Sequence, residues 1–319
     1  MASTETRYDT LRVTQAELVA DAIVLARFES PTAAPLPPWE PGSHIEIVLP
    51  SGLVRHYSLC SDPDDPSHYE IAVLREPAGR GGSAEFHDGV SVGSDISVGL
   101  PRNNFTLEPA TEYLFIAGGV GITPMLPMIR RADATGTPWR LVYGGRTRAS
   151  MAFLDSVVAL GSDRVSVFAD DVEGRPNFAA EMGRLGAGAA VYACGPTPML
   201  DLLTELHITQ GVAAELHIER FVGESAGDIT GETFEVVATR SGVSVTVGTD
   251  ESILTALRPL VSHIPFSCED GYCGTCETAV IEGTVDHRDS YLDDDERAAG
   301  DTMMICVSRC TGSRLVLDL

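Results

Sequence analysis

With 319 residues, 44% of them hydrophobic, the chain is long enough for two or three globular domains of about 100–150 residues each. Its formal net charge of −24 argues against a nucleic-acid partner, and because all 22 of its cationic side chains are Arg, chemistry that depends on Lys is excluded. No apolar run approaches the roughly 18 residues that span a bilayer, and the N-terminal MASTETRYDT lacks a signal-peptide core, so we expect a cytoplasmic protein that does not enter a membrane.

Short runs of alternating apolar and polar residues characterise the first third of the chain. Between Pro/Gly-rich breaks such as PTAAPLPPWEPG, the pattern predicts strands in LRVTQAE, AIVLARF, HIEIVLP, VRHYSL, YEIAVL and DISVGL. Such strands indicate an antiparallel β-barrel, which we assign to residues 1–108.

Two stretches of this barrel have the residue types of an anion site. In VRHYSLC, Arg55 offers a fixed fork of donors to a phosphate, Tyr57 a flat face to an aromatic ring, and Ser58 a hydroxyl. In GRGGS, residues 79–83, the backbone has the form of an anion nest, with Ser83 as N-cap of a helix over AEFHDG. Taken alone, both stretches also fit ordinary barrel strands and a loop.

Apolar strands and helical stretches alternate in the middle of the chain. After Glu112, the strands YLFIAG, WRLVYG, RVSVFA, AAVYAC and AELHIE are interleaved with helices such as TPMLPMIRRADATG and TPMLDLLTELHITQG. This alternation indicates βα units around a parallel sheet, which we assign to an α/β domain over residues 109–223.

Glycine-rich turns follow two of these strands. YLFIAG leads into GGVGITPML, where free N–H groups at a helix N-terminus suit an anion such as a pyrophosphate. Gly119 and Gly121 match the dinucleotide fingerprint, but Pro124 stands where its third glycine belongs, so a purely structural turn is the competing interpretation. VYACGPTPML is a second such turn, and the two strand ends could line one crevice.

The last segment predicts a small α+β domain over residues 232–319, after a polar linker over residues 224–231. TFEVVA and VSVTVG predict a hairpin, and SILTALR predicts a short helix. Three cysteines then fall within nine residues in SCEDGYCGTCE, and a fourth follows thirty residues later, which is the plant-type [2Fe–2S] spacing C-x4-C-x2-C…C. Gly271 and Gly274 let this loop curl closely. The predicted ligands are Cys268, Cys273, Cys276 and Cys306.

Two other uses of these cysteines are weaker. A zinc site built from Cys273, Cys276, Cys306 and Cys310 would leave Cys268 and its loop without a role. A disulfide network suits neither a cytoplasmic protein nor the close spacing. The cysteines outside the predicted ligand set are expected as small buried apolar residues; they are Cys60, Cys194 and Cys310.

Taken together, the motifs carry a family resemblance. RHYSL, GRGGS, GGVGITPML, YACGP, HIERF, CEDGYCGTC and CVSRC occur in the order typical of the phthalate dioxygenase reductase family, a branch of the ferredoxin–NADP⁺ reductase superfamily, and HRDSYLDDDE is also typical. The chain resembles that family over nearly its whole length. The resemblance implies an FMN-binding barrel, an NAD-binding domain and a C-terminal β-grasp ferredoxin domain, and it makes Pro124 part of the expected pattern.

The resemblance also implies site residues. Phe221, in HIERF, would stand against the flavin. The other residues implied near FMN are Arg55, Tyr57, Ser58, Leu59, Arg80, Gly81, Gly82 and Ser83. Those implied near the nicotinamide nucleotide are Gly118, Gly119, Gly121, Thr123, Pro124, Cys194, Gly195 and Pro196.

With this cofactor set, the resemblance implies a reductase component of an oxygenase system. NADH gives two electrons as a hydride whereas the cluster accepts one, and a flavin can bridge that difference. We expect a monomer that reduces a terminal oxygenase, Rieske-type first and cytochrome P450 second. The alternative is a flavin and iron–sulfur redox sensor, for which no effector domain is evident. No general acid or base is required, so His56 and Glu219 are expected in packed or solvated roles.

Two charge patterns bear on the partners. Asp170 and Asp171, after RVSVFA, would repel the 2′-phosphate of NADPH and favour NADH, whereas Arg146 and Arg148, after WRLVYGG, would favour NADPH. Residues 229–319 hold 16 acidic residues against six Arg, including the run at 293–296. That run is either a solvated helix start or a surface that steers a basic oxygenase.

Overall fold

The computed structural model describes residues 8–77, 81–221, 229–261, 264–266, 269, 271, 274–289 and 291–319. By its contacts the chain divides into two compact units, Met1–Phe221 and Val222–Leu319. Within the described ranges, no helix combines the length and the apolar character needed to cross a membrane.

The first half of the N-terminal unit is an antiparallel sheet with strand order β4-β3-β6-β1-β2-β5, in which β7 pairs with β3. Residues 60 and 70 join its two ends, because Cys60 N donates to Glu70 O over 2.9 Å, so the sheet rolls into the predicted barrel. Its elements are β1 (Tyr8–Ala20), β2 (Ile23–Glu29), β3 (Ser43–Val48), β4 (Val54–Ser58), β5 (His68–Leu74), α1 (Gly82–Gly89), β6 (Asp95–Gly99) and β7 (Arg102–Asn103).

Alternation along the strands builds the barrel core. Val13, Phe28, Ile45 and Ile47 are fully or almost fully buried and belong to one apolar cluster. Phe86 of α1 joins the same cluster, so the helix that follows the glycine loop is anchored by its apolar side chain.

The second half of the N-terminal unit is a five-stranded parallel sheet with strand order β10-β9-β8-β11-β12. The first strand in sequence, β8, therefore lies between the second and the fourth, and the order reverses there. Its elements are β8 (Tyr113–Gly118), a 3-10 turn (Gly119–Ile122), α2 (Met125–Thr135), β9 (Trp139–Gly145), a 3-10 turn (Arg148–Ser150), α3 (Leu154–Leu160), β10 (Val165–Ala169), α4 (Phe178–Met182), β11 (Ala190–Cys194), α5 (Thr197–Gln210) and β12 (Glu215–Glu219).

Both faces are covered at the centre of this sheet, which explains why β8 and β11 are apolar and buried throughout. Phe115 of β8 packs with Ile129 of α2 on one face, and Leu114 packs with Leu203 of α5 on the other. The face that carries Phe115 also packs against the barrel, because its cluster includes Leu25, Cys60 and Phe105 from there.

The C-terminal unit has the mixed sheet of a β-grasp domain, with strand order β14-β13-β19-β15-β17 and a parallel β13/β19 pair. Buried Arg309 donates to the carbonyls of Gly248 and Glu232 over 2.8 and 3.0 Å, which ties the last strands to the first hairpin. The elements are β13 (Phe234–Ala238), β14 (Val243–Val247), α6 (Ile253–Leu257), β15 (Glu277–Glu282), β16 (Val285–Asp286), α7 (Asp294–Ala299), β17 (Thr302–Met304), β18 (Arg309–Cys310) and β19 (Arg314–Leu317).

Candidate functional site

The predicted flavin residues of β4 lie beside the start of α1. A Cβ atom at Gly82 would stand 2.4 Å from Arg55 Nε, so a larger residue there would displace the Arg55 side chain from the helix start. Tyr57 packs on Phe86 of α1 with the ring centroids 5.6 Å apart, and burial raises the pKa of its hydroxyl. Leu59 is fully buried in the barrel core. A guanidinium, an aromatic face and a helix N-terminus thus share one place, as a flavin phosphate and ring require.

The glycine loop differs from the sequence interpretation at Ser83. The prediction that Ser83 caps α1 is wrong, because the N-cap is Gly81, whose φ of 81° is left-handed and favours glycine. Ser83 lies inside the first turn instead, and its Oγ accepts a hydrogen bond from Glu76 N over 3.0 Å. This bond holds together the two sides of the loop. Arg80 lies outside the described residues.

Three glycines let the ends of β8 and β11 approach each other. A Cβ atom at Gly121 would stand 2.3 Å from Cys194 O, and one at Gly195 would stand 2.9 Å from Gly118 Cα. At Gly118 a Cβ atom would meet the Pro196 ring at 2.6 Å. This close approach occurs at the carboxyl ends of the strands where the strand order reverses, which is where open α/β sheets bind nucleotides.

The 3-10 turn and α2 continue this crevice. Gly119 has a left-handed φ of 56° with open space where a Cβ atom would point. Thr123 is buried, and its Oγ1 donates to Val120 O over 3.0 Å, which fixes the turn. Pro124 is the N-cap of α2 and has helical backbone angles. Proline therefore begins the helix here where a third glycine would stand in the usual fingerprint.

The charged residues predicted to choose between NADH and NADPH lie at the ends of β9 and β10. Asp170 N donates to Gly145 O over 2.9 Å, and the side chains of Asp170 and Asp171 are exposed. Arg148 forms an ion pair with Glu173, whereas Arg146 is exposed. The structure thus brings the two acidic and the two basic predicted residues to one edge of the sheet.

The barrel and the parallel sheet meet at a serine and a glutamate. Ser58 Oγ, at the end of β4, donates to Glu219 Oε2, at the end of β12, over 3.5 Å. Burial raises the pKa of Glu219 to about 8, although the bond from Ser58 lowers it. Cys194 lies beside Glu219 in the β11/β12 register and is fully buried. Phe221, two residues further, is half-buried against the core that both halves share.

A buried polar group on β3 and β4 was missed by sequence reasoning. His44 and His56 have ring centroids 5.1 Å apart, and Glu46 accepts a hydrogen bond from Tyr8 Oη over 2.6 Å and pairs with Arg102. Burial lowers the pKa of His44 to about 3 and that of His56 to about 4. The alternation of HIEIV marks these polar residues as a face that differs from the core, but it does not show that this face is covered.

The described part of the cysteine motif has the features that a cluster requires. Glu277 of β15 pairs with Met304 of β17, so Cys276 and Cys306 lie at the same end of this ladder, and both are buried in one apolar cluster. Gly271 and Gly274 have φ values of 75° and 73°, which favour glycine. Cys268 and Cys273 lie outside the described residues.

Asp289 connects the segments around this motif. Its Oδ2 accepts from Leu292 N over 2.9 Å, and its Oδ1 accepts from Ser308 Oγ over 3.1 Å. A Cβ atom at Gly271 would meet Asp289 Cα at 3.0 Å. The buried carboxylate thus ties the segment before α7 to the segment after Cys306, and the Asp289 backbone lies close to Gly271 of the cysteine loop.

Of the three remaining cysteines, two behave as expected. Cys60 and Cys194 are buried, but Cys310 is only half-buried, and its Sγ accepts from Gly312 N over 3.1 Å within a turn. The expectation of a buried apolar role is therefore wrong for Cys310, because its thiol serves a polar turn.

Comparison with known proteins agrees with this architecture. Residues 115–205 match the oxidoreductase NAD-binding domain, and residues 236–311 match the 2Fe-2S iron-sulfur cluster binding domain. The chain is 42% identical over 312 residues to the phenoxybenzoate dioxygenase subunit beta of Ectopseudomonas oleovorans, and the alignment covers 97% of each protein. A solved structure of phthalate dioxygenase reductase matches with a TM-score of 0.80 and 36% identity over 98% of each chain. The chain belongs to the phthalate dioxygenase reductase family.

A second solved structure extends the comparison to fused proteins. The reductase matches an intact type IV self-sufficient cytochrome P450 monooxygenase with a TM-score of 0.81 and 39% identity, over 98% of this chain and 41% of that one. The predicted fold class is confirmed. The prediction that the protein is an NAD(P)H-dependent oxidoreductase that transfers electrons is confirmed as well. The cluster and the nicotinamide nucleotide follow from the two domain matches, and FMN follows from membership of the family.

Proposed function

We propose that this reductase takes a hydride from NADH at the junction of its barrel and parallel sheet and passes the electrons singly, through FMN and the cluster, to a terminal oxygenase. The observation that carries the proposal is the bond from Ser58 to Glu219, which joins the flavin strand β4 to the nucleotide sheet. FMN, when bound, supplies the chemistry that accepts two electrons together and releases them one at a time.

The protein's own residues would orient the two reactants. Arg55 and the α1 N-terminus would hold the phosphate of FMN, and Tyr57, Ser58 and Leu59 would line its ring. The remaining members of the proposed flavin set are Arg80, Gly81, Gly82, Ser83 and Phe221. Support comes from the contact of Gly82 with Arg55 and from the left-handed Gly81 that begins the helix.

The crevice at the ends of β8 and β11 would hold the nucleotide. Backbone N–H groups at the start of α2 would suit the pyrophosphate, and the exposed carboxylates after β10 would suit the adenosine ribose. The proposed nucleotide set comprises Gly118, Gly119, Gly121, Thr123, Pro124, Asp170, Asp171, Cys194, Gly195 and Pro196. The proposed cluster ligands are Cys268, Cys273, Cys276 and Cys306, supported by the buried thiols of the last two.

The proposed domain limits are residues 1–108 for the FMN barrel, 109–223 for the NAD domain, 224–231 for the linker and 232–319 for the ferredoxin domain. We further propose a monomer, because one chain contains both cofactor-binding matches and the flavin strand. A cytoplasmic location would supply NADH and keep the ligand thiols reduced.

We propose a Rieske-type oxygenase as the acceptor, with a cytochrome P450 second. A relative that matches over 97% of its length is named as part of a dioxygenase, whereas the P450 match covers 41% of a longer protein. The decisive experiment is stopped-flow mixing of the NADH-reduced reductase with each purified acceptor. Reduction of a Rieske oxygenase at least tenfold faster than of a P450 supports the proposal. The reverse order contradicts it, and reduction of neither favours a redox sensor.

A further inference from the structure

The end of β9 carries a basic segment at a position where NADH-binding domains usually place a carboxylate. In dinucleotide-binding sheets, an acidic residue near the second strand receives the adenosine 2′-hydroxyl, and an Arg there accepts the 2′-phosphate of NADPH. Here β9 is followed by Arg146-Thr147-Arg148-Ala149-Ser150, which contains no acidic residue. The local sequence after β9 alone would therefore favour NADPH.

Glu173 supplies a carboxylate to this segment from the neighbouring turn. One oxygen, Oε1, forms an ion pair with Arg148 Nη2, and the other, Oε2, accepts from Ala169 N over 3.0 Å. The turn itself is held by bonds from Glu173 N and Gly174 N to Ala169 O, over 2.8 and 3.2 Å. The carboxylate is thus fixed to its own backbone and is not a freely moving surface charge.

The backbone that carries Arg148 also lies in an ordered turn. Thr147 and Ser150 form a reciprocal capping box around it, in which Thr147 Oγ1 accepts from Ser150 N and Ser150 Oγ accepts from Thr147 N, each over 3.2 Å. The hydrogen bond between Arg148 and Glu173 lowers the pKa of the glutamate below its usual value, so the carboxylate stays charged. Two ordered turns therefore hold this ion pair at the edge where the ribose would lie.

On the basis of the proposed nucleotide site, we infer that Glu173 is a specificity-determining residue that prevents Arg148 from accepting the 2′-phosphate of NADPH. A 2′-phosphate would have to displace the Glu173 carboxylate from Arg148 and would meet its negative charge. With Glu173 present, the five charged side chains Arg146, Arg148, Asp170, Asp171 and Glu173 carry a net charge of −1. NADH has no phosphate at this position and does not meet that cost.

The test is Glu173→Gln, which removes the charge and keeps an oxygen that can accept from Ala169 N. We expect kcat/KM for NADPH with ferricyanide to rise about tenfold, while that for NADH stays within about twofold. Binding gives an independent measurement: in calorimetry on the holoprotein, 2′,5′-ADP should bind about tenfold more tightly to the variant, and 5′-AMP should bind unchanged. The exposed ion pair contributes little to stability, so the variant should fold normally.

Two further variants make the result specific. Adding Arg148→Ala to Glu173→Gln should cancel the gain, because no guanidinium remains to accept the phosphate. Glu181→Gln is the control, because its partners Arg140 and Arg184 belong to another part of the sheet domain. It should change neither kcat/KM for NADH or NADPH nor the affinity for 2′,5′-ADP. An unchanged 2′,5′-ADP affinity in Glu173→Gln would overturn the inference, as would a gain that survives Arg148→Ala. If the wild-type holoprotein did not oxidise NADH at all, the proposed function itself would be contradicted.

Discussion

Ser58 and Glu219 are 161 residues apart in the chain, yet Ser58 Oγ donates to Glu219 Oε2 over 3.5 Å. Each residue ends a strand, β4 in the barrel and β12 in the parallel sheet. The two halves of the N-terminal unit therefore meet through a carboxyl whose pKa is raised to about 8 by burial. A group that changes charge near pH 8 at this junction should affect hydride transfer.

We predict that Glu219→Gln removes a titration from the reaction with NADH. In the wild-type protein, Glu219 is neutral below about pH 8 and charged above it, so kcat/KM for NADH with ferricyanide should change through that pH. Glutamine stays neutral and should give a flat profile over pH 7–9. An inflection of the same size in the variant would show that another group titrates.

Unfolding measurements provide the control for this assignment. The folded carboxyl keeps a proton that the unfolded chain loses above about pH 4.5, so the wild-type protein should lose stability between pH 4.5 and 8 relative to Glu219→Gln. Below pH 4.5 the difference between the two proteins should be constant. If the wild-type protein instead gained stability relative to Glu219→Gln between pH 4.5 and 8, the raised pKa would be contradicted.

For the iron–sulfur centre, we predict that Cys306→Ser abolishes the cluster and Cys310→Ser does not. Cys306 is buried beside the end of the β15/β17 ladder that follows Cys276, whereas the Cys310 thiol is used in a turn. Iron and sulfide analysis, with the visible absorbance of the cluster, distinguishes the variants. Loss of the iron in Cys310→Ser together with its retention in Cys306→Ser would contradict this ligand assignment.

Gly121→Ala should damage the nucleotide crevice. Its Cβ atom would stand 2.3 Å from Cys194 O, and because that atom is backbone, the ends of β8 and β11 must separate. We expect a loss of about 1–3 kcal/mol in the free energy of unfolding and weaker NAD⁺ binding. Gly186→Ala is the matched control, since its Cβ atom would meet nothing within 4 Å. Equal effects of the two substitutions would mean that the close approach is unimportant.

The sequence predicts strands better than it predicts what covers them. Alternation identified the barrel strands, and continuous apolar runs identified the parallel ones, because these periods reflect local geometry. The cap predicted at Ser83 is wrong because a left-handed glycine, Gly81, is the N-cap of α1, two residues earlier than the capping pattern suggests. The raised pKa of Glu219 could not be predicted, since it depends on burial between two distant segments.

The same limit applies to the histidines of β3 and β4. His44 and His56 have folded pKa values lowered to about 3 and about 4. Burial is the main cause for both; the charges of His56 and then Arg102 add to it for His44, and that of Arg55 adds to it for His56. The unfolded chain therefore binds protons below about pH 6.5 that the folded chain excludes, and stability should fall as the pH falls. Each histidine should contribute about 1.4 kcal/mol per pH unit between pH 6 and 4.5.

We predict that His44→Gln reduces this acid sensitivity by the contribution of one histidine. Urea unfolding monitored by tryptophan fluorescence is suitable, because Trp39 and Trp139 are both buried and both belong to the N-terminal unit. Any packing defect should shift both ends of the pH range equally, so the slope is the decisive quantity. The same slope in the two proteins would show that His44 is charged in the folded state.

The final prediction concerns the acidic run before and within α7. Asp293 and Glu296 form a capping box, with Asp293 Oδ1 accepting from Glu296 N over 2.8 Å and Glu296 Oε2 accepting from Asp293 N over 2.9 Å. The solvated helix start expected from the sequence is therefore present, and two of these charges have a structural use. Asp295 is exposed and outside the capping box, so it is the residue to test for a role in steering.

If the acidic surface attracts a basic oxygenase, Asp295→Asn should slow reduction of that partner at low salt and have little effect at high salt. The attraction acts over a screening length that falls from about 30 Å at 0.01 M to about 10 Å at 0.1 M, so the difference should shrink over this range. Asp163→Asn, an exposed acid of the N-terminal unit, is the matched control and should leave partner reduction unchanged. Ferricyanide reduction should not slow in either variant, because a small anion gains nothing from an acidic surface. If partner reduction is indifferent to salt and to Asp295→Asn, this charge serves solubility and does not guide the oxygenase.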